Sequence, residues 1–328
     1  MELKFSADFG SSFKKEGAFD KSMLYDLLII GSGPAGLNAA LYAGRKGMKV
    51  GVVSGKPGGQ VVDTASVENY LGVSFATGEA LVEQFMNHVK TLKIPMLNDA
   101  DVEAFEKKDD GTFELKLLGG DVLKAKALII ATGSKPRKLG IPGEDQYAGR
   151  GVAYCAICDG PLFEGRDVIV SGGGNSAVEA AVDLAKIAKS VTIIHRSQFR
   201  ADQIVLDQLN AFNNVTVFLQ TEIKEVIGEQ LMTGVVVLDK ETGETRTVKA
   251  DGLFVEIGHI PNSQMAKETL KLDNHGEIEV NHLNETSIPG VFAAGDVTTV
   301  PYKQIIIAAG EGAKAALTAN DYVNRLKR

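Results

Sequence analysis

The chain has 328 residues, 44 % of them apolar, with 36 glycines, no tryptophan and a formal net charge of −7. That length allows about two domains of roughly 150 residues each, and the apolar share is enough for substantial cores. The acidic balance argues against a nucleic-acid partner, which calls for a basic face, and no apolar run approaches the ~18 residues of a membrane span.

Residues 1–22 are polar, with Phe5, Phe9, Phe13 and Phe19 scattered through them. They read either as an arm that packs its rings on the body of the protein or as a docking arm for a partner. No apolar stretch marks the first 24 residues as a signal peptide.

Tyr25 to Ile30 reads as a buried strand, followed at once by Gly31-Ser32-Gly33-Pro34-Ala35-Gly36 and a helical pattern at Leu37, Ala39, Ala40, Leu41 and Ala43. In such a strand–turn–helix unit the first glycine makes the tight turn and the second lets backbone approach a pyrophosphate. The third lets helix and strand pack closely, and the helix N-terminus faces the anion. One feature is missing: the strand Val50 to Val53 ends in Ser54-Gly55 and not in the acid that usually holds a ribose. Residues 58–70 carry Gly58, Gly59, Gln60 and Asn69, which suit a flat ligand or a plain polar loop. A helix is expected over 78–91 and a β-meander over 102–126, with turns at Asp109-Asp110-Gly111 and Gly119-Gly120-Asp121. Ala127 to Gly133 is an apolar strand that ends in Thr132-Gly133, and Pro136 and Pro142 mark a linker.

The only two cysteines stand at 155 and 158, in Cys155-Ala156-Ile157-Cys158-Asp159-Gly160. On a helix this spacing puts both sulfurs on one face, one turn apart. They can then close into a disulfide or open into two thiols with little backbone movement, and a helix N-terminus would favour the thiolate. Two inert buried cysteines are the bland reading. A structural zinc site needs four ligands, and no second CxxC or His-x3–5-His pair exists. No metal is expected. A redox-active dithiol is favoured, which suits a reducing cytosol better than a secreted domain.

A second unit of the same kind follows: strand Asp167 to Val170, turn Gly172-Gly173-Gly174-Asn175-Ser176-Ala177, a helix through Val178 and Leu184, and strand Val191 to Ile194. Two such units in one chain are far more specific than one. After the last strand come His195-Arg196-Ser197-Gln198-Phe199-Arg200. No carboxylate is there to take a ribose diol, but arginine suits a 2′-phosphate. Plain surface arginines are the alternative. Residues 215–248 alternate as strands, Gly252 to Gly258 resumes a core strand, and Gly290 to Asp296 is a strand that ends in Gly-Asp, where ligands of open α/β sheets bind.

The order of these motifs resembles the low-molecular-weight thioredoxin reductases. It is closer still to the flavin half of the alkyl hydroperoxide reductase flavoprotein subunit, through Gly143 to Tyr147, Cys158 to Phe163 and Val300 to Ile307. The resemblance spans about residues 24 to 325. It implies an α/β fold of two Rossmann-like, three-layer dinucleotide-binding domains, the second inserted into the first. The arm would be 1–23, the FAD-binding domain 24–137 and 249–328, and the NAD(P)-binding domain with the CxxC 138–248. FAD would lie on Gly31, Gly33, Pro34, Ala35, Gly36, Gly59, Gln60, Asn69, Thr132, Gly133, Asp296 and Gln304. NADPH or NADH, with NADPH favoured, would lie on Gly172, Gly174, Asn175, Ser176, Ala177, Arg196 and Arg200. The stretch after the second strand is one residue shorter than the His-Arg-Arg-x-x-x-Arg of thioredoxin reductases and lacks its middle arginine.

The implied activity is that of a thioredoxin-disulfide reductase-like NAD(P)H oxidoreductase. Electrons would pass through FAD and the Cys155–Cys158 pair to a thioredoxin- or glutaredoxin-like protein, with Asp159 handling the proton. Alternatives are a ferredoxin-fed reductase, an electron donor to a peroxide reductase through a separate carrier, a flavin thiol oxidase, and a nucleotide-binding sensor with a regulatory CxxC. The resemblance also implies a homodimer whose domains rotate against each other, and the cysteine pair makes a cytoplasmic location the expectation.

Overall fold

The computed structural model describes residues 19–64 and 67–326. Phe5, Phe9 and Phe13 of the arm lie outside them. Phe19 packs its ring on Tyr25, with centroids 5.2 Å apart.

Five parallel strands form the first sheet, in the spatial order Val291–Ala293, Leu128–Ile130, Leu27–Ile30, Val50–Ser54, Met96–Asn98. All four residues of Leu27–Ile30 are buried, because both faces of the sheet are covered. Leu27 and Ile29 point into a core with the helices Pro34–Arg45 and Ile305–Leu326. Leu28 and Ile30 point the other way, onto Phe113, Leu115 and Leu123 of the meander Val102–Lys107, Phe113–Leu117, Val122–Ala125. A strand covered on both sides reads as a continuous apolar run, without alternation. Thr77 caps the helix Gly78–Lys90 by accepting the Ala80 amide.

The second sheet repeats the plan. Its parallel order is Val152–Ala153, Gly252–Val255, Asp167–Ser171, Ser190–Ile194, Val215–Phe218. Val168, Val170 and Phe254 face the helices Asn175–Ala185 and Gln203–Leu209. Ile169, Ile194 and Leu253 face the three-stranded antiparallel sheet Thr221–Gly228, Met232–Asp239, Thr245–Lys249. Gly252–Val255 corrects the sequence reading, which placed everything from 249 onward in the first domain. It pairs with Asp167–Ser171, Val168 opposite Gly252. An apolar four-residue strand fits the centre of either parallel sheet, so its composition could not say which.

All strands of the second sheet lie in the chain between Leu128–Ile130 and Val291–Ala293 of the first. The two crossing segments, Ser134–Pro136 and His259–Pro261, pair antiparallel. Thr132 Oγ1 donates to the Asn262 carbonyl at 2.7 Å, and Asn262 Nδ2 returns a bond to the Thr132 carbonyl at 2.9 Å.

Small residues let the helices Pro34–Arg45 and Ile305–Leu326 touch backbone to backbone. A Cβ at Gly312 would lie 2.0 Å from the Ala35 carbonyl oxygen, whereas one at Gly310 of the same helix meets open space. Gly312→Ala is expected to lower the thermal midpoint, at an overpacking cost of about 1–3 kcal/mol or more. Gly310→Ala is expected to raise it, by roughly 0.5–1 kcal/mol from reduced backbone entropy. Equal effects in the two variants, read by calorimetry, would contradict the helix contact.

Candidate functional site

The first glycine turn is shaped by contacts that only glycine permits. A Cβ at Gly31 would lie 2.3 Å from the Ala131 carbonyl oxygen, and φ there is +104°. A Cβ at Gly36 would lie 1.9 Å from the Gly31 oxygen, while Gly33 faces open space. The helix begins at Pro34 with Gly33 as N-cap and no side chain capping its first amides. These amides and the bare backbone at Gly33 are what a pyrophosphate needs.

Residues expected around the flavin meet one another from distant parts of the chain, and Gly59 with Gly295, the neighbour of Asp296, reaches this turn. Gly59 comes within 3.3 Å of Gly33 Cα by its Cβ direction, and the Cβ direction of Gly295 ends 2.9 Å from Ala35 Cβ. Gln60 Nε2 donates to Asp296 Oδ2 at 3.0 Å across 236 residues. Asn69 Nδ2 donates to Gln304 Oε1 at 3.2 Å across 235 residues. Burial raises the Asp296 carboxyl above its usual range, against the pull of Lys303 and the Gln60 bond. Thr132 and Gly133 follow directly on Ala131, whose carbonyl closes the turn. Where the ribose acid is missing, Ser54 is buried and accepts the Ser32 hydroxyl at 2.6 Å. Serine therefore ties the strand end to the glycine turn in place of an acid. The donors and the open cradle fit FAD.

The second turn is built alike. A Cβ at Gly172 would lie 2.3 Å from the Glu256 carbonyl oxygen and 2.6 Å from Ala177 Cβ, and one at Gly173 2.3 Å from the His195 ring. Gly174 is the N-cap of the helix from Asn175, again without a side-chain cap. Asn175 Nδ2 donates to Asp202 Oδ2 at 2.8 Å, and the Asp202 amide donates back to Asn175 Oδ1 at 2.8 Å. The Arg200 amide donates to the Gly173 carbonyl at 2.7 Å, which lays the arginine segment over the turn. Arg196 and Arg200 are exposed, and neither forms an ion pair among the described residues. Burial and these two guanidinium groups hold the His195 imidazole below its ordinary range. Two exposed cations beside an uncapped helix start fit a nicotinamide dinucleotide.

The cysteines stand on one helical turn, Ala156–Asp159, with Cys155 as N-cap. They are closed into a disulfide, with Cα atoms 5.3 Å apart. The Cys158 amide donates to Cys155 Sγ at 3.2 Å. Burial pushes the Asp159 carboxyl up to about 6. Ile157, between the sulfurs, is exposed.

Two carboxylates here were missed by sequence reasoning. Glu144 is buried and accepts the amides of Leu139 and Gly140 and the Tyr154 hydroxyl, at 2.9, 2.7 and 3.2 Å. It thus ties the linker to the residue before Cys155. Glu256 Oε1 accepts the Ala156 amide at 3.2 Å. Its signal was legible: an acid in the apolar run Leu253-Phe254-Val255-Glu256-Ile257. No helix of the described residues is long and apolar enough to cross a membrane.

Comparison with known proteins agrees with this geometry. The chain is 48 % identical over 304 residues to the F subunit of the alkyl hydroperoxide reductase of Pseudomonas putida, covering 92 % of this chain and 58 % of that protein. It is 46 % identical over 302 residues to an NADH dehydrogenase of Bacillus subtilis strain 168, covering 92 % of this chain and 59 % of that one. The chain therefore spans less than two thirds of the length of these curated relatives. Among solved structures, the thioredoxin reductase of Streptococcus pyogenes MGAS5005 superposes with a TM-score of 0.87 at 38 % identity, covering 92 % of this chain and 99 % of that one. Residues 25–312 match the family model described as pyridine nucleotide-disulphide oxidoreductase. With two glycine turns, a closed CxxC and a match that takes in all three, the chain belongs to the pyridine nucleotide-disulphide oxidoreductase family.

Proposed function

We propose that this chain is a flavin-dependent disulfide reductase that carries electrons from a nicotinamide cofactor, through FAD and the Cys155–Cys158 pair, to a disulfide on a thioredoxin-like protein. One observation carries the reading: a disulfide closed on a single helical turn, in the sheet that bears the second glycine turn. FAD, when bound, supplies the two-electron chemistry that no side chain here can.

The residues divide the remaining work. Gly33 would open the backbone to the FAD pyrophosphate, while Gly31 and Gly36 let the turn and the helix start close on backbone. Gln60 with Asp296, whose neighbours Gly59 and Gly295 reach that turn, and Asn69 with Gln304 would offer polar groups to the flavin. Gly172, Gly174 and the amides of Asn175, Ser176 and Ala177 would hold the second dinucleotide, and Arg196 and Arg200 would take a 2′-phosphate. Once opened, one thiolate of the pair attacks the partner disulfide. A mixed disulfide forms and one partner thiolate leaves. The second cysteine then closes the pair, so the partner gains two electrons and its protons while Cys155–Cys158 is reoxidised. Asp159 supplies or takes the proton that this exchange moves. Exposed Ile157 and Leu162 offer apolar surface beside the sulfurs for the partner. The working form is a cytoplasmic homodimer whose domains rotate.

Cys155→Ser and Cys158→Ser should each abolish reduction of a thioredoxin-like disulfide and leave FAD bound, as read by flavin absorbance. Retained turnover in both would refute the dithiol route. In anaerobic titration with NADPH and NADH, flavin bleaching should occur with NADPH, and loss of both Arg196 and Arg200 side chains should weaken NADPH binding about tenfold or more, at about 1.5–3 kcal/mol for a charged contact, while leaving NADH unchanged. Failure of both nucleotides to bleach would point to ferredoxin. Asp159 keeps its proton below about 6 and loses it above. As the acid that protonates the leaving sulfur, it makes opening of the disulfide slow down as pH rises through that value. Asp159→Asn should flatten this limb and cut the rate about 100-fold. An unchanged pH profile in stopped flow would exclude the role.

A further inference from the structure

Glu256 touches both the second glycine turn and the dithiol turn. Its amide donates to the Ser171 carbonyl at 2.8 Å, and its own carbonyl closes on Gly172. Its side chain leaves the sheet and accepts the amide of Ala156 at 3.2 Å, the first residue of the turn between the sulfurs. The carboxyl is half-buried and has no ion-pair partner among the described residues. The turn it bonds carries one carboxyl, Asp159, and the two cysteines, which titrate only once the disulfide is open. Arg137 follows on the crossing segment, its Cδ 3.8 Å from a Cβ direction at Gly258. The residues 172–177 bring none. Burial pushes the Glu256 carboxyl up to about 7, against the pull of the Ala156 amide.

We propose that Glu256 is a positioning residue that sets how readily the Cys155–Cys158 pair is reduced. A free amide at the start of a helical turn stabilises a thiolate. Glu256 occupies that amide and, when ionised, places a negative charge against the residue that follows Cys155. Like charges disfavour each other's ionisation. Both effects destabilise the reduced form and make the dithiol a stronger reductant. Opening the disulfide with dithiothreitol breaks one S–S bond, passes two electrons and two protons to the cysteines, and leaves dithiothreitol as its cyclic disulfide. If one cysteine stays a thiolate, that proton goes to solvent, and this state is the one Glu256 opposes. Below about pH 7 the carboxyl is neutral and the opposition is relieved. The titration of Glu256 and that of the thiol are therefore coupled.

The inference rests on reading the pair as the redox site, yet its test needs neither flavin turnover nor nucleotide. The full chain is equilibrated with mixtures of reduced and oxidised dithiothreitol at pH 6 and pH 8, trapped by alkylation and counted by mass. Glu256→Gln keeps an acceptor for the Ala156 amide and removes the charge. At pH 8 it should shift the equilibrium about tenfold toward the dithiol, or about 30 mV for two electrons, and at pH 6 it should match the parent chain. The reduced variant should also alkylate faster than the parent chain at pH 7. Equal constants at pH 8, or a shift of the same size at both pH values, would overturn the proposal. If the glutamine variant does not fold, Glu256→Asp retracts the charge by one methylene and should shift the pH 8 constant in the same direction, leaving pH 6 unchanged. Loss of nucleotide-driven turnover with this equilibrium pattern intact would sink the proposed function and spare the inference.

Discussion

A Cβ at Gly36 would sit 1.9 Å from the carbonyl oxygen of Gly31, and one at Gly172 2.3 Å from that of Glu256. At both places backbone packs on backbone with nothing between. The first contact holds the helix from Pro34 against the end of its strand, and at the second turn the helix from Asn175 comes as near, a Cβ at Gly172 ending 2.6 Å from Ala177 Cβ; each domain's cradle is arranged around that approach. With its amides uncapped, each helix start presents positive partial charge to whatever lies in front of it. A side chain at either position would push the helix off the strand and close the cradle.

Much of this was legible because glycine spacing and apolar runs are local signals. The two strand–turn–helix units, the helix Gly78–Lys90 and the meander after it follow from residues close together in the chain. The pairing of Gln60 with Asp296 and Asn69 with Gln304 was not legible from composition. Those residues are more than 230 apart, and only the family resemblance gathered them. Strand Gly252–Val255 was misplaced for a related reason. A short, wholly buried strand carries no mark of its sheet, and its partner Asp167–Ser171 lies more than 80 residues earlier.

The carboxylates show a different limit. Asp159 stands next to Cys158; adjacency alone left it equally a helix-stop aspartate, and the family resemblance favoured the proton role. Glu144 and Glu256 bond residues that flank Cys155, Tyr154 and Ala156, yet they come from a linker and from a strand end. A half-buried acid at the end of an apolar strand is expensive unless something donates a hydrogen bond to it, and the Ala156 amide does so here. The same amide would otherwise be free to stabilise a thiolate. The dithiol turn is therefore bracketed by two carboxyls, Asp159 and Glu256, both raised by burial to values near neutrality. Groups that titrate close to working pH cluster where protons must move with electrons.

The most direct measurement is a count of thiols. The flavin-loaded protein, kept free of oxygen, is mixed with a small excess of NADPH or NADH, quenched with an alkylating agent and weighed with peptide mapping. Before the nucleotide neither cysteine should be labelled; after it, Cys155 and Cys158 should both be. A flavin that bleaches while the pair stays a disulfide would mean that electrons do not reach the sulfurs, and would contradict the assignment.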